Sequence, residues 1–308
     1  MKDVQNQSDT RGVEIQKVGI KGLELPLVIQ RKEAEDIVIY SAATAGVTLP
    51  AHYKGTHMSR FVEVLNEWRS KKTLGIDIKG CVEAIVQKLD AKCGYLKFDF
   101  KYFINKKSPV TGISAPMCYD CFFEGILDNY GEEDEEYRFF LGVKVPVTTL
   151  CPCSKEISDY GAHNQRAIVS IKVTYPEDEH IWIEDLVREV EKCASSELYP
   201  LLKREDEKYV TERAYDNPKF VEDVLRDGID GIGLGALGNA DGQHLVVDVE
   251  DVAALDVERV VAAVVLGDVL EVRMVLEDVL AVDGLAVARH RVHAVDRHAV
   301  ADHRERVA

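Results

Sequence analysis

The order of predicted strands and helices is the sequence feature that most constrains how this chain can fold. Strands are predicted where β-branched and aromatic residues concentrate, and helices where apolar side chains recur at helical spacing. In the first 130 residues the predicted strands are 18–25, 35–48, 95–104 and 121–127, and the predicted helices are 57–70 and 76–91. The order is therefore strand, strand, helix, helix, strand, strand.

The same series begins again after residue 130. The predicted elements there are strands at 137–148 and 167–175, a helix at 183–198, and a further helix from Asn217-Pro218 with proline at its first position. The chain is thus predicted to be an α+β protein of two β-β-α-α-β-β units, residues 1–130 and 131–227. Two closing strands are due after Asp227 in the second unit.

The composition changes abruptly at that point. Residues 228–308 contain no Lys, Ser, Thr, Pro, Cys, Phe, Tyr or Trp and consist mostly of Val, Ala, Asp, Leu, Gly, Arg and His. This tail is either a Val/Ala-rich helical extension or a segment translated from a shifted or opposite reading frame of GC-rich DNA. We favour the second interpretation. We therefore expect a second unit without its native closing strands and a tail that packs poorly and is trimmed by proteases near residue 227.

Overall composition limits the classes of function. The chain has 308 residues, 46% of them hydrophobic and 30% charged, with a formal net charge of −16. These are globular values, and the acidic balance argues against a nucleic-acid or anionic-membrane surface, so any bound phosphate needs a local basic pocket. The sequence shows neither an apolar signal region nor a membrane-spanning stretch, and its seven cysteines fit reduced thiols or ligands. We expect a soluble cytoplasmic protein.

A metal site is predicted around Cys151 and His163, which are separated by a turn-rich segment containing Pro152 and Gly161. Thiolate and imidazole are typical zinc ligands, and a catalytic site adds one more protein ligand while leaving a position for water. The third ligand stays open among three candidates in one acidic cluster, Glu205, Asp206 and Glu207. That cluster is equally typical of a solvated helix start.

Two other sets of residues have possible ligand chemistry. The pair Cys151 and Cys153, with the pair Cys118 and Cys121, would allow a four-cysteine structural zinc site, although the spacing is unusual for one. His57 and Arg60 lie at the beginning of the first predicted helix, where free amides and the positive end of the dipole favour an anion.

Four sequence blocks together closely resemble the type IB GTP cyclohydrolases. The blocks are Asp3-Val-Gln-Asn-Gln-Ser-Asp-Thr-Arg11, Gly55-Thr-His-Met-Ser-Arg-Phe61, Cys151 to Arg166, and Asp206-Glu-Lys-Tyr-Val-Thr-Glu-Arg-Ala-Tyr-Asp-Asn-Pro-Lys-Phe-Val-Glu222. The resemblance covers residues 3 to 227 and does not extend into the tail. It implies the tunnelling fold, or T-fold, with a homotetramer whose active sites form between subunits.

The resemblance also implies specific roles for residues. Glu207 matches the family's metal-binding glutamate, which would join Cys151 and His163 on one divalent metal ion, Zn²⁺, Mn²⁺ or Fe²⁺. Glu222 matches the glutamate that anchors the purine ring, where a carboxylate suits the two parallel donors of guanine. The cations expected for the triphosphate are Arg60, Arg166 and Lys155, with His57 beside them.

The implied reaction converts GTP and water to 7,8-dihydroneopterin 3'-triphosphate and formate, the first step of folate and pterin biosynthesis. Water attacks guanine C8, the imidazole ring opens, and His163 alternates between metal ligation and proton transfer. Two alternatives remain. One is a related T-fold enzyme, giving a cyclic phosphate product or acting as a nitrile reductase of queuosine synthesis. The other is a catalytically inactive member, because the tail lacks the family's histidine-containing closing stretch.

Overall fold

A computed structural model describes most of the chain up to residue 231 and two short segments beyond it. The described residues are 5, 8–69, 72–73, 77–175, 180–231, 245–252 and 261–266. Within these ranges no helix is long and apolar enough to cross a bilayer.

Strands and helices alternate in short runs along the described chain. The strands are β1 (Ile15–Ile29), β2 (Ile37–Leu49), β3 (Lys72–Thr73), β4 (Gly94–Lys107), β5 (Ser114–Asp128), β6 (Glu136–Leu150), β7 (Asn164–Val173), β8 (Ser196–Glu197), β9 (Leu245–Val252) and β10 (Val261–Leu266). The helices are α1 (Met58–Trp68), α2 (Asp77–Leu89), α3 (Pro152–Ile157), α4 (Ile183–Cys193), α5 (Arg204–Asp216) and α6 (Val221–Gly231). The predicted α+β class is confirmed.

The described strands form one continuous sheet in the order β10-β9-β7-β6-β5-β4-β2-β1-β3, and β8 also pairs with β6. All pairings are antiparallel except that of β1 with β3. Alternate residues of the long strands are buried, as in Leu96, Phe98 and Phe100 of β4. One face of the sheet therefore carries the core, which includes buried residues of helices α1, α2, α4 and α6.

The two predicted units are confirmed as a structural repeat, and each contributes four neighbouring strands. The first unit is ordered β1-β2-β4-β5 and the second β6-β7-β9-β10, and the pairing of β5 with β6 joins them. The sequence predicts a second unit without its native closing strands; the structure has the strands β9 and β10 at that place in the sheet, and that they are not the native ones stays a prediction. Strand β9 pairs with β7 from Arg166↔Val252 to Val173↔Leu245. The physical reason is that β7 otherwise presents an unpaired edge, and residues 245–252 alternate valine with acidic side chains as a strand does.

The rest of the tail lies outside the described residues, as do its histidines. The helical interpretation is wrong for residues 245–252 and 261–266, which are strands. The interpretation as a shifted reading frame, and the poor packing and proteolysis expected of the tail, stay predictions.

Three local predictions from the sequence also differ from the structure. The helix predicted at 183–198 ends at Cys193 and is followed by β8. Pro218 is not the first helical residue, because α6 begins at Val221, after Phe220 donates its amide to Asp223 Oδ2 at 3.0 Å. The segment predicted as an open loop after Cys151 contains the short helix α3.

Helix α4 of the second unit is hydrogen-bonded to strands of the first unit through two carboxylates. Tyr102 donates its hydroxyl to Glu184 at 2.6 Å, and Tyr119 donates to Glu191 at 3.2 Å. Lys106 donates to the same oxygen of Glu191 at 2.6 Å. Burial raises the pKa of Glu191, while the Lys106 ammonium acts to lower it. The two units are thus held together by a buried polar contact as well as by the shared sheet.

Replacing Lys106 with Met is expected to destabilise the fold by about 3–5 kcal/mol, because Glu191 stays buried without its counter-ion. Urea unfolding measures this change. Lys192→Met is the matched control, since Lys192 is 58% exposed and pairs with Glu189 at the surface. Its expected effect is below about 0.5 kcal/mol. Equal losses in the two variants would show that the Glu191 contact contributes no special stability.

Candidate active site

The loop between β6 and β7 brings Cys151 and His163 together. The strands pair up to Leu150↔Asn164, and the next residue on each side closes the loop, with the amide of Cys151 donating to the carbonyl of His163 at 3.1 Å. The prediction that this segment folds back on itself is confirmed at the level of the backbone.

Ser154 organises the inside of this loop. Its amide donates to Cys151 Sγ at 3.4 Å, and its hydroxyl donates to the carbonyl of Cys151 at 2.9 Å. The same hydroxyl accepts the amide of His163 at 3.1 Å. Cys151 is therefore the N-cap of α3, with Pro152 as the first helical residue. One serine thus fixes the backbone of both predicted ligands.

The donor chemistry of this pair fits a divalent metal ion. Cys151 is half-buried and accepts one amide at its sulfur, an outer contact commonly found around ligating thiolates, whereas His163 is exposed. Among the described residues, however, no three His, Cys, Asp or Glu side chains are grouped around one ion position. The structure thus places the backbones of the two predicted donors next to each other, and metal binding by their side chains, with a third donor, stays a prediction.

The acidic cluster at the start of α5 divides into one structural and two exposed carboxylates. Asp206 is fully buried and accepts four hydrogen bonds, from the amides of Val110, Thr111 and Lys203 and from the Thr111 hydroxyl, at 2.7–2.9 Å. Burial alone would raise the pKa of Asp206, but these hydrogen bonds hold it well below its usual range. Asp206 is therefore excluded as a ligand, and Glu205 and Glu207 are exposed.

Glu207 lies near the same strand ends as Cys151. It is at the beginning of α5, however, which is the end of that helix far from the Cys151 loop. The beginning of the helix contacts the β4–β5 turn through Asp206, and that turn and the end of β6 lie at the same end of the strands. The last turn is near α3, because Lys155 lies over the Tyr215 ring at 4.2 Å. Eight helical residues separate Glu207 from Tyr215, roughly 12 Å along the axis.

Glu222 lies in the first turn of α6, and this turn is connected directly to the Cys151 loop. The amide of Lys219 donates to the carbonyl of Leu150, the residue before Cys151, at 3.0 Å. Glu222 is exposed and lies three residues further along. The segments that carry the predicted metal ligand Cys151 and the predicted guanine anchor are therefore joined by a main-chain hydrogen bond between residues far apart in sequence.

His57 and Arg60 line a cleft of about 340 Å³ between the end of β2, the loop before α1 and the end of α2. The guanidinium of Arg60 donates to the carbonyl of Lys88 at 3.2 Å. The backbone amide of Arg60 donates to the carbonyl of His57 at 3.1 Å. Asp90 and Tyr53 complete the polar part of the wall. This is a surface concavity with a fixed cation, as an anion site requires.

The cleft and the Cys151 loop lie at opposite ends of the strands that form the sheet. Val47, which lines the cleft, is aligned through Gly94 and Leu127 with Tyr137 at the start of β6. Cys151 lies 14 residues further along the same strand direction, roughly 45 Å away at the rise of an extended strand. A single nucleoside triphosphate therefore cannot reach both sites within one copy of the chain.

The remaining predicted residues are at the surface or on strands. Arg166 is exposed on β7, opposite Thr148. Cys118 is exposed and Cys121 is buried, on opposite faces of β5. The four-cysteine zinc alternative is therefore wrong, because the two side chains point away from each other.

Comparison with known proteins identifies the family. The sequence model described as "Type I GTP cyclohydrolase folE2" matches residues 1–235. The GTP cyclohydrolase FolE2 of Geotalea uraniireducens (strain Rf4) is 48% identical over 227 residues, covering 74% of this chain and 80% of the relative. The chain belongs to the FolE2 family of GTP cyclohydrolases. The predicted family and its tunnelling fold are confirmed.

Other FolE2 proteins match over the same part of the chain. That of Caldicellulosiruptor bescii is 49% identical over 228 residues, covering 74% of this chain and 85% of the relative. Among solved structures, a highly active mutant of Bacillus sp. TB-90 urate oxidase superimposes with a TM-score of 0.47 at 6% identity, covering 82% of this chain and 99% of that one. The family-model match, residues 1–235, spans the positions of Cys151, His163, Glu207 and Glu222, and most of the tail lies beyond it.

Proposed function

We propose that this chain hydrolyses GTP to 7,8-dihydroneopterin 3'-triphosphate and formate, and so acts in folate biosynthesis. The observation that carries the proposal is the FolE2 family match over residues 1–235. The structure supports it, since the loop with the thiol and imidazole donors and the helix turn with Glu222 are joined at Leu150.

The chain's own residues have separate tasks in this proposal. The carboxylate of Glu222 accepts guanine N1–H and the 2-amino group, and so orients the ring. Cys151 and His163 would hold one divalent ion, Zn²⁺, Mn²⁺ or Fe²⁺. The family resemblance implies Glu207 as the third donor, although the described structure does not group Glu207 with this pair. Such an ion supplies Lewis-acid activation of the water that attacks guanine C8. His163 also transfers protons during ring opening.

The cationic residues would bind the triphosphate of an otherwise acidic protein. Arg60 and His57 belong to the cleft of the first unit, whereas Arg166 and Lys155 lie near the Cys151 loop. Because the cleft and the loop lie at opposite ends of the strands, we propose that GTP binds between copies of the chain. This supports the homotetramer with interfacial active sites that the family resemblance implies.

Turnover is tested by incubating the purified full chain with GTP and Zn²⁺, Mn²⁺ or Fe²⁺ in turn. The expected result is formate release together with a product that gives pterin fluorescence after oxidation. A cyclic phosphate product would instead assign the chain to a related T-fold activity. If none of the three metals gave a product, the chain would be an inactive member of the family.

The choice of cysteine ligand can be tested without turnover. Cys151→Ser is expected to lose most of the bound metal, because a hydroxyl is a much weaker ligand than a thiolate. Cys153→Ser is the matched control and should retain it, since Cys153 is exposed on α3. Metal content after dialysis is measured by elemental analysis. The opposite ranking would show that Cys153 is the ligand.

An interfacial site predicts complementation between two inactive variants. Arg60→Ala and Cys151→Ser, each inactive alone, are co-expressed with different tags and purified through both tags. If one active site takes Arg60 and Cys151 from different copies, random assembly restores roughly one quarter of the sites. No recovered activity in the mixed oligomer would place both residues in the same copy's site, or Arg60 outside it.

A further inference from the structure

The connection between α5 and α6 is held in place by the buried side chain of Lys219. Its ammonium donates to the carbonyl of Cys193 at 2.8 Å and to Asp227 at 2.6 Å. The side chain is only 16% exposed. Cys193 is the last residue of α4, and a cation at the negative end of a helix dipole is favourable. Lys219 therefore links the end of α4 to a later turn of α6.

The backbone of the same residue forms the contact with the Cys151 loop. The Lys219 amide donates to the carbonyl of Leu150 at 3.0 Å, and the amide of Leu150 donates to the Ser195 hydroxyl at 3.1 Å. Asn217 adds a side-chain hydrogen bond to the carbonyl of Ala194 at 3.0 Å. Leu150, the residue before Cys151, is thus held at its carbonyl by Lys219 and at its amide by Ser195, just after α4.

We propose that Lys219 is a positioning residue that sets the orientation of Glu222 relative to Cys151, and thereby the selectivity for guanine. This rests on the proposed function, which assigns Glu222 to the guanine ring. The main-chain bond at Leu150 brings the start of α6 to the loop, and the buried side chains of Val221, Val224 and Leu225 pack the apolar face of the helix on the core. Lys219 adds the polar contacts next to the exposed turn that carries Glu222. The ammonium fixes one point on α6, at Asp227, and another on α4. A shift of the exposed turn would move the Glu222 carboxylate away from the guanine donors.

Selectivity for the 2-amino group provides the readout. Inosine triphosphate lacks that group, so one oxygen of a correctly placed carboxylate loses its donor. The unmodified chain is expected to bind GTP roughly tenfold to a hundredfold more tightly than inosine triphosphate. Isothermal titration calorimetry on the full chain measures both dissociation constants, with Glu222→Gln as the reference that removes the preference.

Lys219→Met removes the ammonium but keeps most of the stem. We expect the ratio of the two dissociation constants to fall to within about twofold of one, with the remaining affinity carried by the triphosphate. Lys219→Arg should restore the ratio, because a guanidinium can reach both acceptors. Lys192→Met, on the exposed side of α4, is the matched control and should leave the ratio unchanged.

The outcomes separate the possible failures. If Lys219→Met lowers thermal stability but keeps the ratio of the unmodified chain, Lys219 has a structural role only and the inference is wrong. If Lys219→Met does not fold, Asp227→Ala decides, since Asp227 is 47% exposed and this substitution removes one of the two acceptors of the Lys219 ammonium. An unchanged ratio in Asp227→Ala overturns the inference. If Glu222→Gln itself leaves the ratio unchanged, the assignment of Glu222 to guanine fails, and the role of Lys219 with it.

Discussion

The contact between α4 and the paired strands β4 and β5 is the interaction on which the arrangement of both units depends. Glu184 and Glu191 are seven residues apart, two helical turns, and so lie on the same face of α4. Their hydrogen-bond donors Tyr102 and Tyr119 are direct partners across β4 and β5. Buried carboxylates are costly unless they are paired, so this helix has one favourable position on the sheet.

That position is transmitted to the proposed active site through the end of the same helix. The carbonyls of Cys193 and Ala194 accept hydrogen bonds from Lys219 and Asn217, and the Ser195 hydroxyl accepts the amide of Leu150. The loop that carries Cys151 and the turn that carries Glu222 are therefore both held in place by the end of α4. The first unit fixes α4 through its tyrosines, and the end of α4 fixes the positions of the segments that carry Cys151 and Glu222.

The sequence predicted those features that depend on neighbours along the chain. Cys151 and His163 meet because they flank one hairpin, and the turn residues between them signal it. The residues of α5 alone leave its start open between a ligand cluster and a solvated helix start, since the helix buries just Asp206 and Ala214 and has no apolar stripe. The four hydrogen bonds that Asp206 accepts come mainly from a turn about 95 residues earlier. No local sequence pattern predicts a contact with a segment so far away along the chain. The role of Lys219 likewise depends on Leu150 and Cys193, distant in sequence.

At the closing strands, composition and periodicity indicate different things. Residues 245–252 alternate valine with acidic side chains as a strand does, whereas the loss of aromatic residues and of Lys, Ser and Thr indicates a foreign tail. The unpaired groups on the edge of β7 need hydrogen-bond partners, and an alternating Val-rich segment supplies them whatever its origin. Backbone pairing needs a strand-forming pattern but little side-chain identity, whereas the proton transfers of a site need particular residues. The sheet order of a T-fold unit is therefore compatible with a tail outside the family match, and catalytic competence is a separate property, which turnover of GTP measures directly.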